Sequence, residues 1–213
     1  MEPRLPGVIK VLLCGLDINR DNIALVLVQP DLVQDEHGVS KVVFTVRFAD
    51  RIPTTTVHAG VDRALKILKE VAAKTRLFLV GVDSSSLGIY IAENLKQALH
   101  PLGVWTRLFE ITASGEPSWR KGVYRVSRLD LLMHASGLIH ERRVIIPTDC
   151  LGLINELNGL EVQITRARNV TVVPVGGEDD LTMALSLALW LSRELPPDTI
   201  ALGPQGPRLR EPI

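Results

Sequence analysis

VIKVLLCGLDINRDNIALVLV, residues 8–28, decides how the rest of the chain must be read. Two runs, Val8 to Leu16 and Ile23 to Val28, are dense in Val, Leu and Ile and flank the mostly polar stretch Asp17 to Asn22. Apolar runs of this length around a polar break predict two strands joined by a short turn. Lys41 to Phe48, rich in β-branched and aromatic residues, follows the turn-like Gln34 to Ser40 and extends the pattern to a third strand of an antiparallel meander.

Beyond the meander the periodicity changes. Thr54 to Thr56 offers a helix entry, and Val57, Val61, Ala64, Leu65, Leu68 and Val71 recur at helical spacing among charged residues. Arg76 to Val82 is almost wholly apolar, as expected of a strand covered on both faces, and Asp83 sits at its carboxyl end. Ser84 to Ser86 are read as caps of a helix ending near Leu99, before the breaker His100 to Gly103. A strand from Val104 to Ile111, a polar loop and a helix from Tyr124 to Arg143 are predicted next. After them come a short extended piece, Val144 to Pro147, and a small helix, Leu151 to Leu157. Leu160 to Val175 reads as a hairpin turning near Arg168 and Asn169, and Gly176 to Asp180 opens an apolar helix reaching about Leu195. Residues 1–195 are expected to form one domain and residues 196–213, with five prolines, an extended or disordered tail. This order of elements resembles the ribonuclease H fold, an α/β architecture whose mixed sheet is flanked by helices, here with an extra β-hairpin.

Composition narrows the function. The 213 residues carry 24 Lys and Arg against 24 Asp and Glu, so bulk charge drives binding neither to nucleic acid nor to a membrane, and any such site must be local. The two cysteines, Cys14 and Cys150, lie far apart without a CxxC partner, which argues against a zinc knuckle or a disulfide framework and fits a reducing cytoplasm. The apolar runs fall short of the roughly 20 residues of a membrane helix, and Met1 to Gly7 shows no apolar signal core. The five histidines show no ligand spacing, and no G-x-S-x-G elbow is present.

Acids, by contrast, fall at telling places. Asp17 ends the first strand, Asp83 ends the strand after the first crossover, and Asp179 and Asp180 open the last helix. If the two strands are neighbours, their carboxyl ends bring Asp17 and Asp83 together, where open α/β sheets keep their sites. Clustered carboxylates repel, and a hard divalent cation with oxygen ligands relieves that repulsion. Two such ions about 4 Å apart suit phosphodiester hydrolysis. Asp is also a common strand-end and N-cap residue, but Asp179 and Asp180 cannot both be the cap.

Taken together, Gly15-Leu16-Asp17, Gly81-Val82-Asp83, Glu178-Asp179-Asp180-Leu181 and the run Ala184 to Leu189 resemble the nuclease domain of the large terminase subunit of tailed bacteriophages. Arg125 and Arg128 before a helix, and Leu153, Glu156 and Leu157 after a short strand, are similar to further elements of that family. The resemblance spans roughly Leu12 to Leu195. It implies a Mg²⁺- or Mn²⁺-dependent endonuclease, with two ions, that cuts double-stranded DNA during genome packaging in the host cytoplasm. Asp17, Asp83 and Asp180 would be the catalytic ligands and Asp179 an accessory one. The ATPase motor, the portal and the small terminase subunit would be its partners. Asn19 stands where relatives often have a small residue, and Glu178 where some have histidine. No G-x-x-x-x-G-K-[ST] loop occurs, so the expectation is an excised nuclease domain or a stand-alone relative without the ATPase.

The stretch Trp119 to Arg128 holds Arg120, Lys121, Arg125 and Arg128 and no acid, with Trp119 and Tyr124 interleaved. Such a loop fits phosphate contacts or a solvated face, and the resemblance implies the former. Arg166 and Arg168 at the hairpin tip form a second candidate DNA contact. Three alternatives remain open: a RuvC-type Holliday-junction resolvase, a non-catalytic DNA-binding or packaging scaffold, and an actin-like nucleotide-binding protein. The last would need a duplicated unit and glycine-rich phosphate loops, and neither is visible.

Overall fold

Strand pairing follows from the apolar runs just described. In the structure, a computed structural model that describes residues 9–34, 36, 38–85, 89–164 and 170–195, β1 (Ile9–Ile18), β2 (Asn22–Gln34) and β3 (Ser40–Pro53) form the expected antiparallel meander. After α1 (Val57–Ala72) the chain returns as β4 (Thr75–Asp83), parallel to β1. The helix α2 (Ile89–Leu99) and a 3₁₀ turn at His100–Leu102 lead to β5 (Trp105–Thr112), parallel to β4. β6 (Ser118–Arg120), β7 (Val123–Ser127), α3 (Arg128–His140), β8 (Val144–Ile145), α4 (Leu151–Asn158) and the hairpin β9 (Leu160–Ile164) with β10 (Val170–Pro174) follow, and α5 (Asp180–Leu191) closes the fold. The mixed sheet has the order β6-β7-β5-β4-β1-β2-β3-β8, with β9 and β10 as a separate ribbon.

The central strands alternate their side chains between two apolar layers. Leu12, Cys14, Leu16, Leu25 and Leu27 join Ala64, Leu68, Ala92 and Leu95 of α1 and α2 on one side. Leu13, Ala24, Val26 and Leu79 join α3, α4 and α5 on the other. All residues from Leu181 to Leu191 of α5 are buried, because this helix lies between the sheet and α3 and α4. Among the described residues no helix is long and apolar enough to cross a membrane.

One expectation fails locally. The stretch 118–127, read as a polar loop running into a helix from Tyr124, is a β-hairpin, and the helix begins only at Arg128. Lys121 (φ 51°) and Gly122 (φ 80°) supply the two positive-φ residues of a two-residue turn. Val123 and Val126 are buried in the sheet although their spacing to Leu129 also fits a helix. Ser84 and Ser85, read as caps of the following helix, tie β4 to β5. The Ser84 hydroxyl donates to the Phe109 carbonyl (2.8 Å), and the Ile111 amide donates to Ser85 Oγ (2.7 Å). Ser86 and the tail 196–213 lie outside the described residues.

Candidate active site

Parity along the strands places the acids. In β1, Leu13, Gly15 and Asp17 face α5, and in β4, Leu79, Gly81 and Asp83 do so, with Gly15 opposite Gly81 in the parallel register. The glycines set how close α5 comes. A Cβ on Gly15 would lie 1.7 Å from the Ala184 carbonyl oxygen, so only a residue without a side chain lets α5 rest on β1. This seat carries the first turn of α5, with Asp179 and Asp180, over the carboxyl ends of β1 and β4.

The side chains at that corner are held by three sets of polar contacts. Asn19 donates through a single Nδ2 to Asp17 Oδ2 (3.3 Å) and Asp180 Oδ1 (2.9 Å), and Asn22 Nδ2 donates to Asp180 Oδ2 (3.0 Å). The Ser85 amide donates to Asp83 Oδ1 (2.8 Å). Arg51, from β3, pairs with Glu156 of α4, with Glu178 at 2.9 Å, and more loosely with Asp180 at 3.9 Å. Arg128 pairs with Asp179.

Asp17 is 7% exposed, and burial pushes its carboxyl well above the usual carboxylate range. The negative charges of Asp83, Asp180 and Asp179 add to the rise, which Asn19 partly opposes. Burial also raises Asp83, against the opposing hydrogen bonds from Ser85. The Asp17 carboxylate therefore feels the other three acids at this partly buried corner. Among the described residues no three His, Cys, Asp or Glu side chains already stand at metal-ligand geometry. Asp180 is turned to two asparagines and Asp179 to an arginine. The donor set nevertheless fits a hard divalent cation: carboxylate oxygens only, with a repulsion at Asp17 that a dication would relieve.

No sequence-family model matches the chain, and no curated protein matches its sequence. Solved structures do. The large terminase nuclease from the thermophilic phage G20c with bound magnesium is 20% identical, matches 89% of this chain and 84% of its own, and gives a TM-score of 0.57. A variant of the nuclease domain of the large terminase subunit of bacterial virus Sf6, with manganese and beta-thujaplicinol, is 11% identical over 85% of this chain and 89% of its own, with a TM-score of 0.59. The large terminase from a further thermophilic bacteriophage gives 0.53 at 11% identity, over 90% of this chain and 42% of that one. The fold is ribonuclease H-like.

Within this ribonuclease H-like sheet the expected acids Asp17, Asp83, Asp179 and Asp180 come to one corner, whereas the expected basic residues divide. Arg120 and Lys121 are exposed at the β6–β7 turn. Arg125 pairs with Glu110 (3.1 Å), and Arg128 is turned inward to Asp179. Arg166 and Arg168 lie outside the described residues. Trp119 belongs to a strand rather than a loop. Its ring packs edge-on against Tyr124 (5.2 Å between centroids), and Arg107 lies over it at 5.4 Å. Sequence reasoning missed the roles of Asn19, Asn22 and Arg51 at the corner. For the asparagines the available signal was their position beside Asp17 at the strand ends.

Proposed function

We propose that the chain is a divalent-metal-dependent endonuclease for double-stranded DNA, of the large-terminase nuclease type. The observation that carries this reading is the gathering of Asp17, Asp83 and Asp180 from two parallel strand ends and one helix start. Similarity to terminase nucleases holding magnesium or manganese supports it. Asp17, Asp83 and Asp180 would hold the cation, with Asp179 in reach as a fourth carboxylate. When bound, such ions activate a water and stabilise the leaving oxygen of a phosphodiester. The protein's own contribution is placement. Asn19 and Asn22 fix the Asp180 carboxylate, the Ser85 amide fixes Asp83, and the apolar layer beneath keeps the carboxylates partly dry. Arg120 and Lys121 on the exposed turn would hold backbone phosphates without reading sequence. Within a packaging assembly the ATPase motor, the portal and the small terminase subunit would deliver the duplex in the host cytoplasm.

A plasmid-nicking assay in Mg²⁺, Mn²⁺ or chelator tests this reading. Wild type is expected to nick only with metal, and Asp83→Ala and Asp180→Ala are each expected to lose about a hundredfold or more of the rate, as when an essential metal-holding group is removed. Cutting in chelator, or a variant as fast as wild type, contradicts it.

A further inference from the structure

The helix α5 begins with two aspartates, and neither closes its own helix end. Asp179 occupies the N-cap position but makes no side-chain hydrogen bond to the helix backbone, and its carboxylate goes to Arg128. Asp180 is turned to Asn19 and Asn22. The first-turn amides of a helix require partners, and in a buried helix water does not supply them. Here Glu156, on α4, does. Its Oε1 accepts from the Leu181 amide (3.3 Å) and its Oε2 from the Thr182 amide (2.8 Å). Glu156 is 7% exposed, so its ionised form depends on those amides and on Arg51, which also reaches Asp180.

An N-cap aspartate ordinarily spends its own oxygen on the amide of the second or third helical residue. If Asp179 did so, that oxygen would turn toward the helix end and away from the corner. Resting on the nuclease reading, we propose that Glu156 is a positioning residue for the metal site. By capping α5 from a neighbouring helix, it frees the carboxylates of Asp179 and Asp180 from their own helix end and keeps them at the corner where a divalent cation would meet them, and through Arg51 it sets where Asp180 stands beside Asp17.

The test uses the full chain and Mn²⁺ as the probe, with calorimetric titration, the Mn²⁺ concentration for half-maximal nicking, and melting temperature measured together. Glu156→Gln removes the charge and one acceptor. Glu156→Asp keeps the charge but draws it back from the amides, which separates placement from bulk electrostatics. Thr56→Ala removes the ordinary N-cap of α1 and serves as a control for stability loss remote from the acids. Glu156→Gln is expected to weaken Mn²⁺ binding about tenfold, the usual scale for a residue supporting metal ligands, and to raise the half-maximal Mn²⁺ in step. Glu156→Asp is expected to shift both in the same direction, and Thr56→Ala to lower the melting temperature without moving either. If Glu156→Gln does not fold, Glu156→Asp alone decides. Glu156 variants that melt lower yet bind Mn²⁺ as wild type does would overturn the inference and leave Glu156 a structural cap. Wild type that neither binds Mn²⁺ nor nicks would overturn the nuclease reading and this inference with it.

Discussion

The helices α1 and α5 cover opposite faces of one sheet and are built on different terms. α1 buries a stripe, Gly60, Ala64, Leu68 and Val71, and its N-cap Thr56 accepts from the Ala59 amide (3.2 Å) three residues on. α5 is buried from Leu181 to Leu191, and its end is closed from another helix by Glu156. A surface helix can be finished by its own residues or by water. A buried one must borrow, and borrowing leaves its first acids for other work.

The seats of the two helices differ in the same sense, and substitution should expose it. A Cβ on Gly60 would meet Thr54 Cγ2 at 2.1 Å, a side-chain atom whose withdrawal disturbs the Thr54 hydroxyl bond to the Arg20 carbonyl, whereas one on Gly15 would meet the backbone oxygen of Ala184. Gly15→Ala is therefore expected to cost about 3 kcal/mol or more by overpacking. Gly60→Ala should cost less, about 1–2 kcal/mol, because side chains rather than backbone must shift and alanine's helix propensity offsets part of the cost. Denaturant unfolding of both variants measures this, and equal costs would break the contrast.

A smaller effect distinguishes the acid corner from the rest of the core. Burial and neighbouring acids hold the Asp17 carboxyl above its ordinary value of 3.8 in the fold. Its stabilising contribution is thus full below that unfolded value and is lost as pH rises through the folded one. In chelator, Asp17→Asn should melt above wild type at neutral pH, and the gap should close in acid, while metal-dependent nicking is lost. A variant that melts lower at every pH would show that the acids do not strain the metal-free fold.

What could be read in the sequence follows the same divide between local and borrowed. Apolar runs ending in Gly-x-Asp announced two strand ends on one face, and the paired aspartates announced the start of the last helix. Each of these signals is contained within a few neighbouring residues. The Asn22 to Asp180 bond and the Arg51 to Glu156 pair join positions 158 and 105 residues apart, and nothing local in the sequence records such pairings. The β6–β7 hairpin was hidden for another reason. Val126, Leu129 and Leu132 fit helical spacing across a real boundary at Ser127, whose hydroxyl accepts from the Asp130 amide (3.0 Å) and starts α3. Arg128 reads in the sequence as a candidate phosphate contact because its acid partner, Asp179, lies 51 residues away.

The central claim is that Asp17, Asp83 and Asp180 together hold a divalent cation. Anomalous diffraction from crystals grown with Mn²⁺ tests it most directly. The account predicts Mn²⁺ density within about 2.2 Å of carboxylate oxygens from all three residues, with Asp180 turned toward it. Ordered Mn²⁺ elsewhere, with this corner still closed by Asn19, Asn22 and Arg51, would contradict it.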